Sequence, residues 1–76
     1  METGSLTEVL IGQKVKIIKL NGDGALKKRL LDMGLTPGVS LKVERVAPFG
    51  GPVELTVRGY ALSLRKEEAA LIMVEQ

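Results

Sequence analysis

The chain has 76 residues, 45% of them hydrophobic, with 11 Lys and Arg against 9 Asp and Glu for a formal net charge of +2. That size supports one thin core, read as a single domain over residues 1–76, and spares little chain for a deep catalytic cavity. Neither cysteine nor histidine is present, which rules out disulfide staples and thiolate metal sites and removes the commonest general base, so no catalytic, cofactor or metal site is expected.

Met1 to Gly4 read as an untied terminus, and Ser5, Leu6, Thr7 and Glu8 fit the S-x-x-E capping box ahead of Val9, Leu10 and Ile11. A short helix is therefore expected there, stopped by Gly12. The first basic residue is Lys14, and no apolar run approaches the ~20 residues of a spanning helix, so a soluble, cytoplasmic chain is expected. Lys14 to Leu20 reads as a strand in which Val15 and Ile17 share one parity but Ile18 and Leu20 the other, predicting a bulge or bend. Asn21 to Gly24 form a turn with Asp23 as the expected N-cap of a helix.

Along that helix Leu26, Leu30 and Met33 recur at i, i+4 and i+7, a stripe expected to face the core, while Lys27, Lys28 and Arg29 lie mainly on the other faces. Gly34 is placed to take the left-handed conformation that closes a helix, with Leu35 folding back onto the last turn. Thr36, Pro37 and Gly38 predict a type II turn into a strand from Val39. That strand alternates through Leu41 and Val43, then slips phase at Glu44 and Arg45 before Val46, predicting a second bend.

Ala47 to Pro52 form a loop whose two prolines cannot continue a ladder. Val53, Leu55 and Val57 then make a half-buried strand, Arg58 and Gly59 a tight reversal, and Tyr60, Leu62 and Leu64 the return strand. Lys66 to Ala70 suit one helical turn and Leu71 to Glu75 a last strand. The expected class is mainly β, a small β-barrel of about five strands with short connecting helices, closure of which removes exposed edges.

Four residues stand out as candidates for binding a partner: Lys27, Lys28, Arg29 and Phe49. The three cations form either a solvated helix face or an electrostatic patch for an acidic partner. Phe49, flanked by Pro48 and Gly50, either plugs a barrel mouth or projects as a contact anchor. Tyr60 is expected to turn its ring inward with the hydroxyl at the rim, and Glu67 and Glu68 to form a solvated face. Met33 is a poor metal ligand, a lone thioether without nitrogen or oxygen donors beside it. A nucleic-acid-binding barrel is the competing class, given a pI near 9.2. Interspersed charges and only two aromatics argue against it, and no nucleic acid is expected as partner.

Lys28 to Gly38 (KRLLDMGLTPG), Val46 to Pro48 and Arg58 to Ala69 (RGYALSLRKEEA), with a G-Q-K-V opening to the first strand, form a series that resembles the FeoA family. The resemblance runs from Leu6 through Val74. It implies an SH3-like barrel and a small, non-enzymatic cytoplasmic accessory of the ferrous iron transporter FeoB, reaching the membrane only through that partner. Weak self-association is a lesser option. Similar domains occur at the C-terminus of metal-dependent repressors, so a stand-alone regulatory domain is a further alternative. The G-x-x-x-x-G-K-[ST] loop of a nucleotide site is missing, consistent with the transporter carrying that chemistry.

Overall fold

The computed structural model describes residues 3–22 and 24–75. Six antiparallel strands make one sheet: β1 (Thr3–Ser5), β2 (Lys14–Leu20), β3 (Ser40–Val46), β4 (Val53–Val57), β5 (Tyr60–Leu64) and β6 (Ile72–Glu75), in spatial order β1-β6-β2-β3-β4-β5. A 3-10 turn (Leu6–Glu8) and helices α1 (Gly24–Asp32) and α2 (Lys66–Ala69) occupy connections. The class is the expected one, mainly β with short helices, but with six strands instead of five. The extra strand is β1, which pairs Thr3 with Glu75, Gly4 with Val74 and Ser5 with Met73. The sequence gives no sign of it because an edge strand of this kind is held by backbone hydrogen bonds, without an apolar alternation of its own.

Alternation dictates the core. Val15 and Ile17 on β2, Leu41 and Val43 on β3, and Val53, Leu55 and Val57 on β4 all point inward and are buried, while their neighbours face solvent. Each such side chain contributes about 1.5–3 kcal/mol by leaving water. Both expected bends are present. Register shifts between Ile17 and Lys19 where β2 meets β6, and between Val43 and Arg45 where β3 meets β4. Each extra residue bends its strand and raises the local twist, which curls the sheet around the core. The smallest dimension of the molecule is 23 Å, about twice the ~10 Å layer spacing of packed sheets. The ladders nonetheless leave β1 and β5 as the ends of the strand order, so among the described residues the barrel closes by packing and both ends remain edges.

The 3-10 turn replaces the longer helix expected from Ser5. Its N-cap Ser5 makes no hydrogen bond to the turn's backbone, because its hydroxyl is bonded to that of Thr7 instead. The chain then leaves the helical path: the Leu10 N–H donates to Gln13 Oε1 at 2.9 Å, and the Gly12 N–H donates to the Val43 carbonyl at 2.7 Å. Leu6 and Val9 are buried, whereas Leu10 and Ile11 stand in solvent.

Helix α1 ends as the sequence predicts. The Gly34 N–H donates to the Leu31 carbonyl at 3.0 Å and the Leu35 N–H to the Leu30 carbonyl at 3.1 Å, the bond pair of a Schellman motif, with Gly34 at φ +88°. Leu30 and Leu35 are both fully buried. The Val39 N–H then closes the turn on the Thr36 carbonyl at 3.2 Å. The expected stripe is only partly realised: Leu30 is 0% exposed and Met33 packs on the core, but Leu26 is 36% exposed. Helix α1 meets the barrel through its C-terminal half, so a residue one turn earlier lies at the margin. The N-cap assigned to Asp23 lies outside the described residues.

The β4–β5 hairpin reverses through Arg58 at φ +50° and Gly59 at φ +84°, with Val57 opposite Tyr60, the primed geometry that suits strand twist.

Candidate partner-docking surfaces

The basic cluster of α1 divides into two parts. Lys27 and Lys28 are exposed, and among the described residues no carboxylate lies in ion-pair range of either. Arg29 is engaged: its Nε lies 3.5 Å from Glu68 Oε2. Glu68 corrects the expectation of a solvated acidic face, since it is 3% exposed. The reason is local. At the third position of α2, its Oε1 accepts the Arg65 N–H at 2.9 Å, which draws the carboxylate back along the helix start and under α1. Its Oε2 has no hydrogen-bond partner. A carboxylate taken out of water needs compensating charge, and the Arg29 guanidinium, itself largely in solvent, supplies it. Arg29 thus ties α1 to α2, while Glu67 remains exposed.

For Phe49 the structure separates the two readings. The ring is 104% exposed, so it plugs nothing. Its loop is well held at the base: the Ala47 N–H donates to the Pro52 carbonyl at 3.0 Å, and the Gly51 N–H donates to the Pro48 carbonyl at 3.2 Å. Phe49 occupies the tip of that turn at φ +58°, a region that costs a bulky residue of order 1–3 kcal/mol. Gly51 is required for a different reason, because a Cβ there would lie 2.6 Å from the Ala47 Cβ. Beneath the tip is a cleft of about 270 Å³ lined by Thr7, Val46, Ala47, Phe49, Val53 and Lys66, with glycines between them. Val46, the last residue of β3, is exposed although the bulge sets it opposite the buried Val53.

Tyr60 also departs from expectation, the residue being 44% exposed. Its hydroxyl donates to the Met33 carbonyl at 3.0 Å, satisfying one of the orphan acceptors at the end of α1. The sequence offers no signal for this bond, which joins residues 27 apart. The cleft beside Phe49 was equally invisible, since its walls come from the 3-10 turn, the β3–β4 loop and α2.

Among the described residues there is no group of three or more His, Cys, Asp or Glu placed to hold a metal ion, and no helix long and apolar enough to cross a membrane. What the surface presents is contact chemistry: an exposed aromatic on a fixed loop and two free ammonium groups on a helix.

Comparison with known proteins identifies the family. The family model described as the FeoA domain matches residues 4–76. The Fe(2+) transport protein A/Fe(2+) transporter FeoB fusion protein of Porphyromonas gingivalis is 39% identical over 70 residues, which are 92% of this chain and 8% of the length of that protein. Among solved structures, the FeoA-like protein of Clostridium acetobutylicum superposes with a TM-score of 0.88 at 41% identity, covering 99% of this chain and 87% of that one. IdeR of T. acidophilum gives a TM-score of 0.85 at 24% identity over 97% of this chain and 34% of its own, a likeness of fold alone. With its SH3-like barrel and a family match over nearly every residue, the chain belongs to the FeoA domain family.

Proposed function

We propose that this domain is a non-enzymatic accessory of ferrous iron uptake that docks on the cytoplasmic part of a FeoB-type transporter and modulates its activity or assembly. The observation that carries this reading is the Porphyromonas gingivalis relative, in which a similar stretch and FeoB share one polypeptide. Covalent linkage makes an encounter intramolecular, so a fused pair works without a strong interface, and a separate domain must recover that advantage by binding. The exposed Phe49 supports docking, because an aromatic side chain with only two torsions loses little entropy on contact and interface cores are enriched in aromatics. Lys27 and Lys28 supply exposed positive charge that would steer an acidic partner.

The test is co-purification of the folded domain with a FeoB-type transporter, followed by assay of nucleotide hydrolysis and iron transport with and without the domain. Retention together with a changed rate or a changed assembly state is expected. A domain that neither associates nor alters either rate defeats the reading.

A further inference from the structure

A second surface, which includes none of Lys27, Lys28, Arg29 and Phe49, gathers positive charge on paired strands. Lys14 and Lys42 are direct partners across β2 and β3, and Lys42 is in turn the partner of Thr56 on β4. With Ser40 and Arg58 these residues line an open hollow of about 570 Å³ on the outer side of the sheet. Like charges placed directly opposite each other on a sheet are destabilising. Compensation inside the chain is slight. Glu44 takes a hydrogen bond from the Thr56 hydroxyl at 2.7 Å and reaches Lys42 Nζ only at 3.9 Å, with both side chains about half exposed, a geometry of little worth in water. Lys16, the next outward residue of β2, has Glu75 as its cross-strand partner. Lys14 and Arg58 have no carboxylate in ion-pair range among the described residues.

We propose that this hollow docks an acidic segment of a partner protein, its carboxylates received by Lys14, Lys42 and Arg58. Three cations lining one hollow, two of them cross-strand partners, fit a few carboxylates of an extended peptide. Ser40 lines the same hollow, whereas the Thr56 hydroxyl is already given to Glu44. A nucleic acid fits less well, because no aromatic lines the hollow and base stacking has no platform there. The proposal deepens the docking reading above and rests on it only for the identity of the partner.

The experiment uses the whole chain and follows the anisotropy of a labelled glutamate-rich peptide, with a single-stranded oligonucleotide of equal charge as the competing class. Binding of the peptide that weakens with salt is expected, and Lys14→Glu should weaken it about tenfold, the effect of reversing one contact charge. The same substitution removes a like-charge pair, so its melting temperature should stay level or rise. That opposition of binding and stability is what a purely structural lysine would not give. Lys19→Glu, on β2 beyond the bulge, is the control and should bind the peptide as the wild type does. Failure of the wild type to bind the peptide, equal binding by Lys14→Glu, or tighter binding of the oligonucleotide each overturns the proposal. Against the transporter, Lys14→Glu retained as strongly as wild type sinks the hollow and leaves docking intact. Peptide binding without transporter binding upholds the hollow and removes the transporter reading.

Discussion

Two glycine- and proline-rich turns of this molecule treat their apolar side chains in opposite ways. At the end of α1, Gly34 lets the chain reverse so that Leu30 and Leu35 are both fully buried, and Tyr60 reaches over to bond the Met33 carbonyl. In the β3–β4 loop, the position at φ +58° is given to Phe49, which gains no burial in return. The first turn spends its unusual backbone on the fold. The second leaves its apolar side chain in solvent, and strain without a packing return is the ground on which Phe49 is proposed as a contact residue.

Substitutions can break or sharpen this contrast. The largest effect is expected from Leu30→Ala, which opens a cavity under the α1 corner and should cost about 2–5 kcal/mol in denaturant unfolding. Gly34→Val comes next, at about 2–3 kcal/mol, since a Cβ there sits 2.9 Å from the Tyr60 hydroxyl and the left-handed φ disfavours a β-branched residue. Tyr60→Phe removes the bond to the Met33 carbonyl alone and should cost about 1 kcal/mol, a fall of about 4–8 °C in Tm. Phe49→Asn is the smallest and the most telling. Asparagine tolerates φ above zero, so Tm should hold or rise by a few degrees, while retention on the transporter should fall. A marked loss of stability in Phe49→Asn would erase the contrast between the two turns.

Most of the fold could be read from local pattern. The stop at Gly34, the hairpin at Arg58 and Gly59, and both bulges announce themselves within a few residues, because each is decided by glycine placement or by a break in two-residue alternation. The misses are of another kind. Strand β1 rests on backbone bonds to β6, and the burial of Glu68 depends on α1 lying over it with Arg29 at hand. Leu26 follows the helical period yet sits a turn short of the barrel. For the candidate surfaces, Phe49 could be singled out by its setting but its exposure could not be decided. Lys14, Lys42 and Arg58 carry no local signal, because strand pairing and the β4–β5 turn assemble them.

The pairing of β1 with β6 sets how this domain sits within any longer polypeptide. Thr3 lies opposite Glu75, so the backbone enters and leaves at one rung of one ladder. Segments joined before and after it would emerge side by side, and the folded domain would add little end-to-end distance between them. Tension applied through such flanks would open the ladder rung by rung, Thr3 from Glu75 first and Ser5 from Met73 last, before reaching the pairs that β6 makes with β2. A tethered copy of this domain would therefore yield at its seam while the barrel behind it stays shut.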